Sequence, residues 1–261
     1  MGLKNILRRM NSLPIKLTVR HYYPLGLQSE ETSGMRLDSP EAWDTLRRSH
    51  PHFETPNTRN DWIESLLEPR DGQGKGLPVR AHDVAEILRR KGITSLHSVG
   101  VGSAGLEYFI LQEMPGVGMS ISEYNDESVA RLSTVFPEGK PKKFDVMRDS
   151  WDRDGEDWLH LVLIYRLDPQ LTDREWREVF VRMGRAGVRN ILYIPANFLT
   201  IRYILRERKR SIAALLKGVK TSFAGYVRTQ VVFESYWSGI YEQEIVTIGG
   251  KPSYFLSLRT V

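Results

Sequence analysis

From residue 79 to the end of the chain, apolar positions switch regularly between helical and strand spacing. "VRAHDVAEILRRKG" puts Val84, Ile87 and Leu88 on one helical face, and Gly92 stands where a left-handed C-terminal cap closes a helix. Residues 94–99 read as a buried strand, 103–114 as a helix stopped by Pro115-Gly116, and 117–123 as the next strand. "NDESVARLSTVF" predicts a helix with Asn125 or Asp126 as N-cap, "KKFDVM" a short strand, and "WLHLVLIYRL" a strand apolar enough to be central in a sheet. Thr172 and Glu175 have capping-box spacing, so "DREWREVFVRMGRA" starts a helix that Gly187 closes, and the strand "RNILYIP" follows. Strands alternating with helices predict an α/β fold with a parallel sheet covered on both faces.

The tail breaks this rhythm. "NFLTIRYILRERKRSIAALLKG" reads as a helix, and so does "YVRTQVVFESYW", where Tyr226, Gln230, Phe233 and Trp237 fall on one side. "IYEQEIVTI" and "SYFLSLR", joined by "GGKP", predict an antiparallel hairpin. Upstream, residues 1–23 read as a basic arm, with Leu3, Ile6, Leu7 and Met10 at helical spacing. "PEAWDTLRRS", entered through Ser39-Pro40, and "TRNDWIESLLE" are helix candidates separated by "HPHFETPN", and "PRDGQGKGLP" is the clearest linker.

Composition narrows the chemistry. With 261 residues, 41% hydrophobic and 26% charged, the chain can bury a substantial core. It has no cysteine, which excludes disulfides, thiolate metal sites and cysteine nucleophiles. No apolar run reaches the roughly 20 residues of a membrane span, and a cytoplasmic location is expected. The net charge of +5 is localised. Residues 1–23 carry Lys4, Arg8, Arg9, Lys16 and Arg20 with no acid, and residues 202–220 carry seven cations against Glu207. Such patches suit phosphate-bearing partners or an anionic surface, and are also what a solvated helix face looks like.

The chemistry-bearing stretch is "LHSVGVGSAGLE", at 96–107. A strand, a turn containing Gly100, Gly102 and Gly105, and a helix bring backbone N–H groups near a ligand with no Cβ between. Glu123, 18 residues beyond Gly105 at the end of the next strand, suits two ribose hydroxyls. Cofactors of two kinds fit this pattern, NAD(P) and S-adenosylmethionine.

From residue 80 to 261 the order of elements resembles the class I S-adenosylmethionine-dependent methyltransferases, whose seven-stranded sheet ends in an antiparallel strand supplied by a C-terminal hairpin. "IYEQEIVTIGGKPSYFLSLR" matches that ending, "ISEYNDESVARL" looks like the acid-then-capped-helix motif of the second strand, and "DWLHLVLIYRLD" is similar to the fourth strand. The resemblance implies a Rossmann-like doubly wound sheet over residues 76–261, with a mainly helical, basic cap over 1–75. It implies S-adenosyl-L-methionine as cofactor. Gly100 and Gly102 would let the backbone approach its methionine and ribose parts, and Ser103 and Gly105 would begin the helix beside it. Glu123 would hold the ribose, Tyr124 would pack on adenine, and Asp145, with Val146 beside it, would meet the adenine amino group. Tyr165 and Arg166 would border the methyl group and the acceptor. Plainer readings stand next to these: a solvated strand-end acid for Glu123, a turn acid for Asp145, a packed aromatic for Tyr165 and a structural ion pair for Arg166.

The chain departs from the family's pattern. The acid often found two residues before the first glycine is replaced by Ser98, so the cofactor's amino group would need another partner. Ala104 replaces the third glycine of the commonest form, and His97 is polar for a buried strand. His21, His50, His52, His82 and His160 are dispersed, and no catalytic base is assigned. Neither "HPHFE" nor "DRDGED" has the spacing of a metal site, and no metal is expected. "YRLD" stands where an exocyclic-amine DNA or protein-glutamine methyltransferase shows an N-P-P-Y-type signature. The expected acceptor is therefore a small molecule, a glycan or a lipid-linked sugar, with no specific nucleic acid. Tyr22, Tyr23, Trp43, Trp62, Arg47 and Arg48 of the cap are candidates to receive it. The basic N-terminal arm suits contact with a membrane surface. The rival readings are an NAD(P)-dependent oxidoreductase and a non-catalytic binding module using the basic patches.

Overall fold

The structure, a computed structural model, describes residues 15–23, 56–67, 76–151, 160–218 and 222–259. The helix expected at 40–49, the "DRDGED" stretch and the expected boundary at residue 75 lie outside the described residues. In chain order the elements are β1 (Thr18–Tyr23), α1 (Arg59–Leu67), α2 (Leu77–Lys91), β2 (Ser95–Val99), α3 (Gly105–Glu113), β3 (Gly118–Glu123), α4 (Asp126–Val135), β4 (Pro141–Lys143), β5 (Val162–Tyr165), α5 (Asp173–Arg185), β6 (Asn190–Ile194), α6 (Ile201–Leu216), β7 (Ser222–Arg228), α7 (Gln230–Trp237), β8 (Tyr241–Ile248) and β9 (Lys251–Leu258). Among the described residues no helix is long and apolar enough to cross a membrane. The chain divides into two compact units.

The larger unit draws its described residues from 56–165, 178–195 and 239–259. Its seven strands run in the order β4-β3-β2-β5-β6-β9-β8; the first five are parallel, and β9 is antiparallel to β6 and to β8. This is the doubly wound sheet with a C-terminal hairpin that the pattern predicts. From β2 the chain winds outward through β3 and β4, then restarts at β5 and winds the other way. The boundary between β2 and β5 is therefore the topological switch point, the general location of ligand sites in open α/β sheets.

Alternation along the strands sorts the core. Leu96, Ile121, Leu163 and Leu192 share one buried cluster with Trp62 of α1, Leu88 of α2, Ile110 of α3 and Leu132 of α4. On the other face Phe180 of α5 meets the rings of Tyr193 and Tyr241 at 6.0 and 6.3 Å. His97 is buried, but its ring nitrogens lie 2.7 and 3.0 Å from the hydroxyls of Ser120 and Ser122 on the neighbouring strand, which satisfies a polar group inside the sheet. Gly92 takes the left-handed cap of α2, and Asn125, not Asp126, caps α4 by accepting the N–H of Ser128 at 2.9 Å.

The smaller unit holds residues 15–23, 166–177 and the described part of 196–238. The end of the basic arm, "TVRHYY", is a strand, antiparallel to β7 with a bulge between His21 and Tyr22. Its β-branched and aromatic residues favour a pleated, half-buried surface. "YVRTQVVFESYW" is not helical throughout, since the helix begins only at Gln230. Gly225, with φ +107°, sets this apart: a Cβ there would lie 2.1 Å from the Pro169 carbonyl oxygen. Arg228 is fully buried at the end of β7, where its Nε donates to Asp173 at 2.7 Å and its Nη1 to the Asp168 carbonyl at 2.6 Å. Thr172 and Glu175 form the capping box of α5, with Glu175 accepting the Thr172 N–H at 2.7 Å.

Candidate functional site

Beyond Val99 the chain bends toward β3, because the N–H groups of Gly100 and Val101 both donate to the Ser122 carbonyl, at 2.9 and 3.3 Å. Gly100, Gly102 and Ala104 have φ of +64°, +59° and +54°. Glycine adopts this region freely, whereas Ala104 holds it at a cost of about 1–2 kcal/mol. The two later glycines serve different ends. A Cβ on Gly102 would meet no heavy atom within 4 Å, so the backbone there borders open space. A Cβ on Gly105 would lie 2.8 Å from Leu66 Cδ2 and from Leu77 Cδ1. Gly105 begins α3 as expected, but its missing side chain is occupied by α1 and the start of α2. The Ser103 carbonyl accepts the indole N–H of Trp62 at 2.9 Å, which pins the turn to α1.

Glu123 ends β3 with its carboxylate nearly buried. Oε2 accepts the Gly102 N–H at 2.8 Å and Oε1 the Tyr124 N–H at 3.0 Å. The Phe144 N–H donates to the Glu123 carbonyl at 3.1 Å and brings the 144–149 turn beside the exit of β3. Asp145 lies in that turn, past the end of β4 at Lys143, and its Oδ1 accepts the N–H groups of Met147 and Arg148 at 2.8 and 3.2 Å. The Val146 carbonyl accepts from Trp151 Nε1 at 3.2 Å and from Arg182 at 3.3 Å. Tyr165 closes β5, one residue past the Val99–Ile164 pairing, and Arg166 follows at φ +58°. The structure thus gathers Gly100, Gly102, Glu123, Tyr124 and the Asp145-Val146 turn at the carboxyl ends of β2 to β4, with Tyr165 across β2 from them.

Two residues missed by the sequence reading belong to this region. Arg80 of α2 is buried and donates to the Tyr165 hydroxyl at 2.9 Å. Glu107, in the first turn of α3, is 1% exposed. Its Oε1 accepts the Ser98 hydroxyl at 2.6 Å, and its Oε2 has no hydrogen-bond partner among the described residues. Burial pushes the Glu107 carboxyl up to about 7; the Ser98 bond pulls it back, and the charge of Glu123 adds to the rise. The available signal was spacing, since Glu107 stands on the inward stripe with Ala104 and Ile110.

Other candidates resolve differently. Trp62 does not await an acceptor: its ring is fully buried against Tyr108 and Phe136, and its N–H is taken. Tyr22 and Tyr23 lie on β1 in the smaller unit, and Trp43, Arg47, Arg48, His50 and His52 are outside the described residues. His21 bonds the Tyr203 hydroxyl at 3.0 Å and His82 bonds Glu113 at 3.1 Å.

No protein-family model and no curated protein sequence matches the chain. Solved structures do. PigF with S-adenosylhomocysteine aligns with TM-score 0.51 at 14% identity, over 85% of this chain and 60% of PigF. A Nostoc punctiforme protein assigned as an O-methyltransferase aligns with TM-score 0.51 at 10% identity, over 90% of this chain and 66% of its own. The S-adenosylmethionine-dependent methyltransferase SibL, in its apo form, aligns with TM-score 0.50 at 12% identity, over 69% and 55%. This chain has the class I methyltransferase fold. It spans between 55 and 66% of the length of these three structures, and identities this low speak for the fold alone. At the switch point of the sheet the residues present suit a ligand that approaches the backbone. Gly102 borders open space, the nearly buried Glu123 carboxylate bonds its N–H, and Glu107 has a carboxylate oxygen with no hydrogen-bond partner among the described residues.

Proposed function

We propose that the chain is an S-adenosylmethionine-dependent methyltransferase whose acceptor is a small molecule, a glycan or a lipid-linked sugar. The observation that carries the reading is the open backbone at Gly102, tied to the buried Glu123 carboxylate at the switch point of the sheet. Gly100 and Gly102 admit the donor, and the Glu123 carboxylate beside them takes its ribose hydroxyls. Tyr124 and the Asp145-Val146 turn border the adenine. Glu107 faces the donor's α-ammonium in place of the acid absent at Ser98. Tyr165, held by Arg80, stands on the methyl side with Ser103 nearby on the turn.

The bound donor supplies a methyl group already activated on a sulfonium. What falls to this chain is to align an acceptor and exclude water. An amine acceptor needs only to be neutral, whereas a hydroxyl benefits from a base. The absence of an N-P-P-Y-type signature at Tyr165–Asp168 supports an acceptor other than a nucleic-acid base.

Thermal shift with S-adenosylhomocysteine, NAD and NADP tests the reading, because a ligand bound to the folded state raises the melting temperature by mass action. A rise with S-adenosylhomocysteine alone is expected. A rise with NAD or NADP instead makes the chain an oxidoreductase, and no rise with any of them makes it a module without this cofactor.

A further inference from the structure

The helix α6 is amphipathic, and its apolar face points outward. Toward the rest of the smaller unit it presents Tyr203 and Ala214, both buried, and Glu207, which pairs with Arg206 and Arg210 and lies 3.6 Å from His21. Its outward side carries Ile204, Leu205, Ile212, Leu215 and Leu216, exposed by 40, 59, 57, 78 and 82%. At 3.6 residues per turn these five fall within an arc of about 120°. Arg208 lies inside that arc, and Arg202 and Lys209 lie along one edge; all three are exposed. A helix in a folded protein normally buries such a stripe. A contiguous apolar patch left in water marks a contact surface.

Charge selects the occupant. A nucleic acid would be held by the cations alone and gives five aliphatic side chains nothing to bury against. A second copy would bring Arg202, Arg208 and Lys209 against themselves across a twofold contact, like charge on like. An anionic bilayer meets both needs, with acyl chains for the leucines and isoleucines and headgroup phosphates for the cations. A cavity of about 480 Å³ at the start of the helix, lined by Arg202, Leu205, Arg206 and Lys209 among others, gives room for a headgroup between cation and apolar side chain.

We propose that α6 docks this chain on an anionic membrane surface, lying in the interfacial plane with Leu205, Ile212 and Leu216 inserted and Arg202, Arg208 and Lys209 on lipid phosphates. The inference does not rest on methyl transfer, and it assigns the contact to α6 and not to the N-terminal arm.

Co-sedimentation of the full chain with sucrose-loaded vesicles tests it, comparing phosphatidylcholine alone with phosphatidylcholine and phosphatidylglycerol mixed. The expected result is partition onto the mixed vesicles that weakens as salt rises. Leu205→Glu with Leu216→Glu should lower the partition at least about tenfold, and Lys209→Gln roughly fivefold. These side chains are exposed, so the melting temperatures should stay at the wild-type value. The proposal is overturned if the wild type leaves mixed vesicles in the supernatant, or if the double leucine variant binds them as well as the wild type. It is overturned equally if the wild type dimerises in solution through this face without binding vesicles, or captures duplex DNA or RNA in their place.

Discussion

The Glu123 carboxylate accepts the backbone N–H of Gly102 at 2.8 Å, so the acid ending one parallel strand fixes the turn that leaves its neighbour. The same side chain accepts the Tyr124 N–H. A ligand gripped by Glu123 therefore meets a backbone already shaped for it. Glu123→Ala should weaken S-adenosylhomocysteine binding by about 1–3 kcal/mol, the scale of lost hydrogen bonds to a charged group. Titration calorimetry on both proteins reads the difference, and equal affinities would remove Glu123 from the ribose.

The glycines give a second, sharper contrast. Gly102→Ala places a methyl group in open space at φ +59°, costing about 1–2 kcal/mol of stability and standing where the proposed donor approaches the backbone. Gly105→Ala drives its Cβ to 2.8 Å from two leucine methyl groups and costs about 1–3 kcal/mol by overpacking. Cofactor affinity should collapse in the first variant and persist in the second. Denaturant melts and calorimetry on the pair check this; the reverse order would put the cofactor on the α1 side of the turn.

Glu107 links pH to both stability and binding. An unfolded chain releases this proton near 4.5, and the folded protein holds it to about 7. Between those values the folded state binds more protons than the unfolded one, so stability falls as pH rises, and the loss is complete above the folded pKa. Glu107→Gln removes the loss. The variant should be more stable than wild type by roughly 1–3 kcal/mol near pH 8 and no more stable below the unfolded pKa. If Glu107 also meets the ligand's ammonium, the same variant binds S-adenosylhomocysteine about tenfold more weakly or worse. Higher stability with unchanged affinity would leave Glu107 a buried acid with no part in binding.

Much of the larger unit was legible because its strands and helices carry their own periodicity. Asn125, Gly92 and the Thr172–Glu175 box each placed a helix end by local chemistry. The smaller unit was harder. "TVRHYY" is six residues long and pairs Thr18 with Arg228 at the far end of the sequence, and no local pattern encodes that partner. Residues 226–228 continue the helical spacing of Gln230, Phe233 and Trp237, yet end a strand because Gly225 meets Pro169 and Arg228 is buried against Asp173. At the site, Gly102 and Glu123 were visible as a motif. Glu107 was not, because what distinguishes it is a missing partner, and partners belong to three dimensions.

The Asp173–Arg228 pair should dominate the stability of the smaller unit. Arg228 is fully buried, and Asp173 is its counter-charge at 2.7 Å while also accepting from Thr18 and Tyr236, both at 2.8 Å. Burial works against the Asp173 charge, but hydrogen bonds from Arg228, Thr18 and Tyr236 outweigh it and hold the carboxyl below its ordinary range. A depressed carboxyl contributes stability above the unfolded pKa and loses it as pH falls through the folded one. Asp173→Asn removes the hydrogen-bonded counter-charge of a buried guanidinium that Asp168 also attracts, and because Asp173 is itself 37% exposed the cost should be about 1.5–3 kcal/mol at pH 7. That deficit should shrink in acid, where wild type protonates too. Adding Arg228→Met should recover part of the loss, since an apolar side chain tolerates the site better than a buried charge that has lost its hydrogen-bonded carboxylate. Urea melts of the wild type and the two variants at pH 7 and in acid measure all three effects. A single-variant cost under about 1 kcal/mol would show the pair to be no stronger than one on the surface.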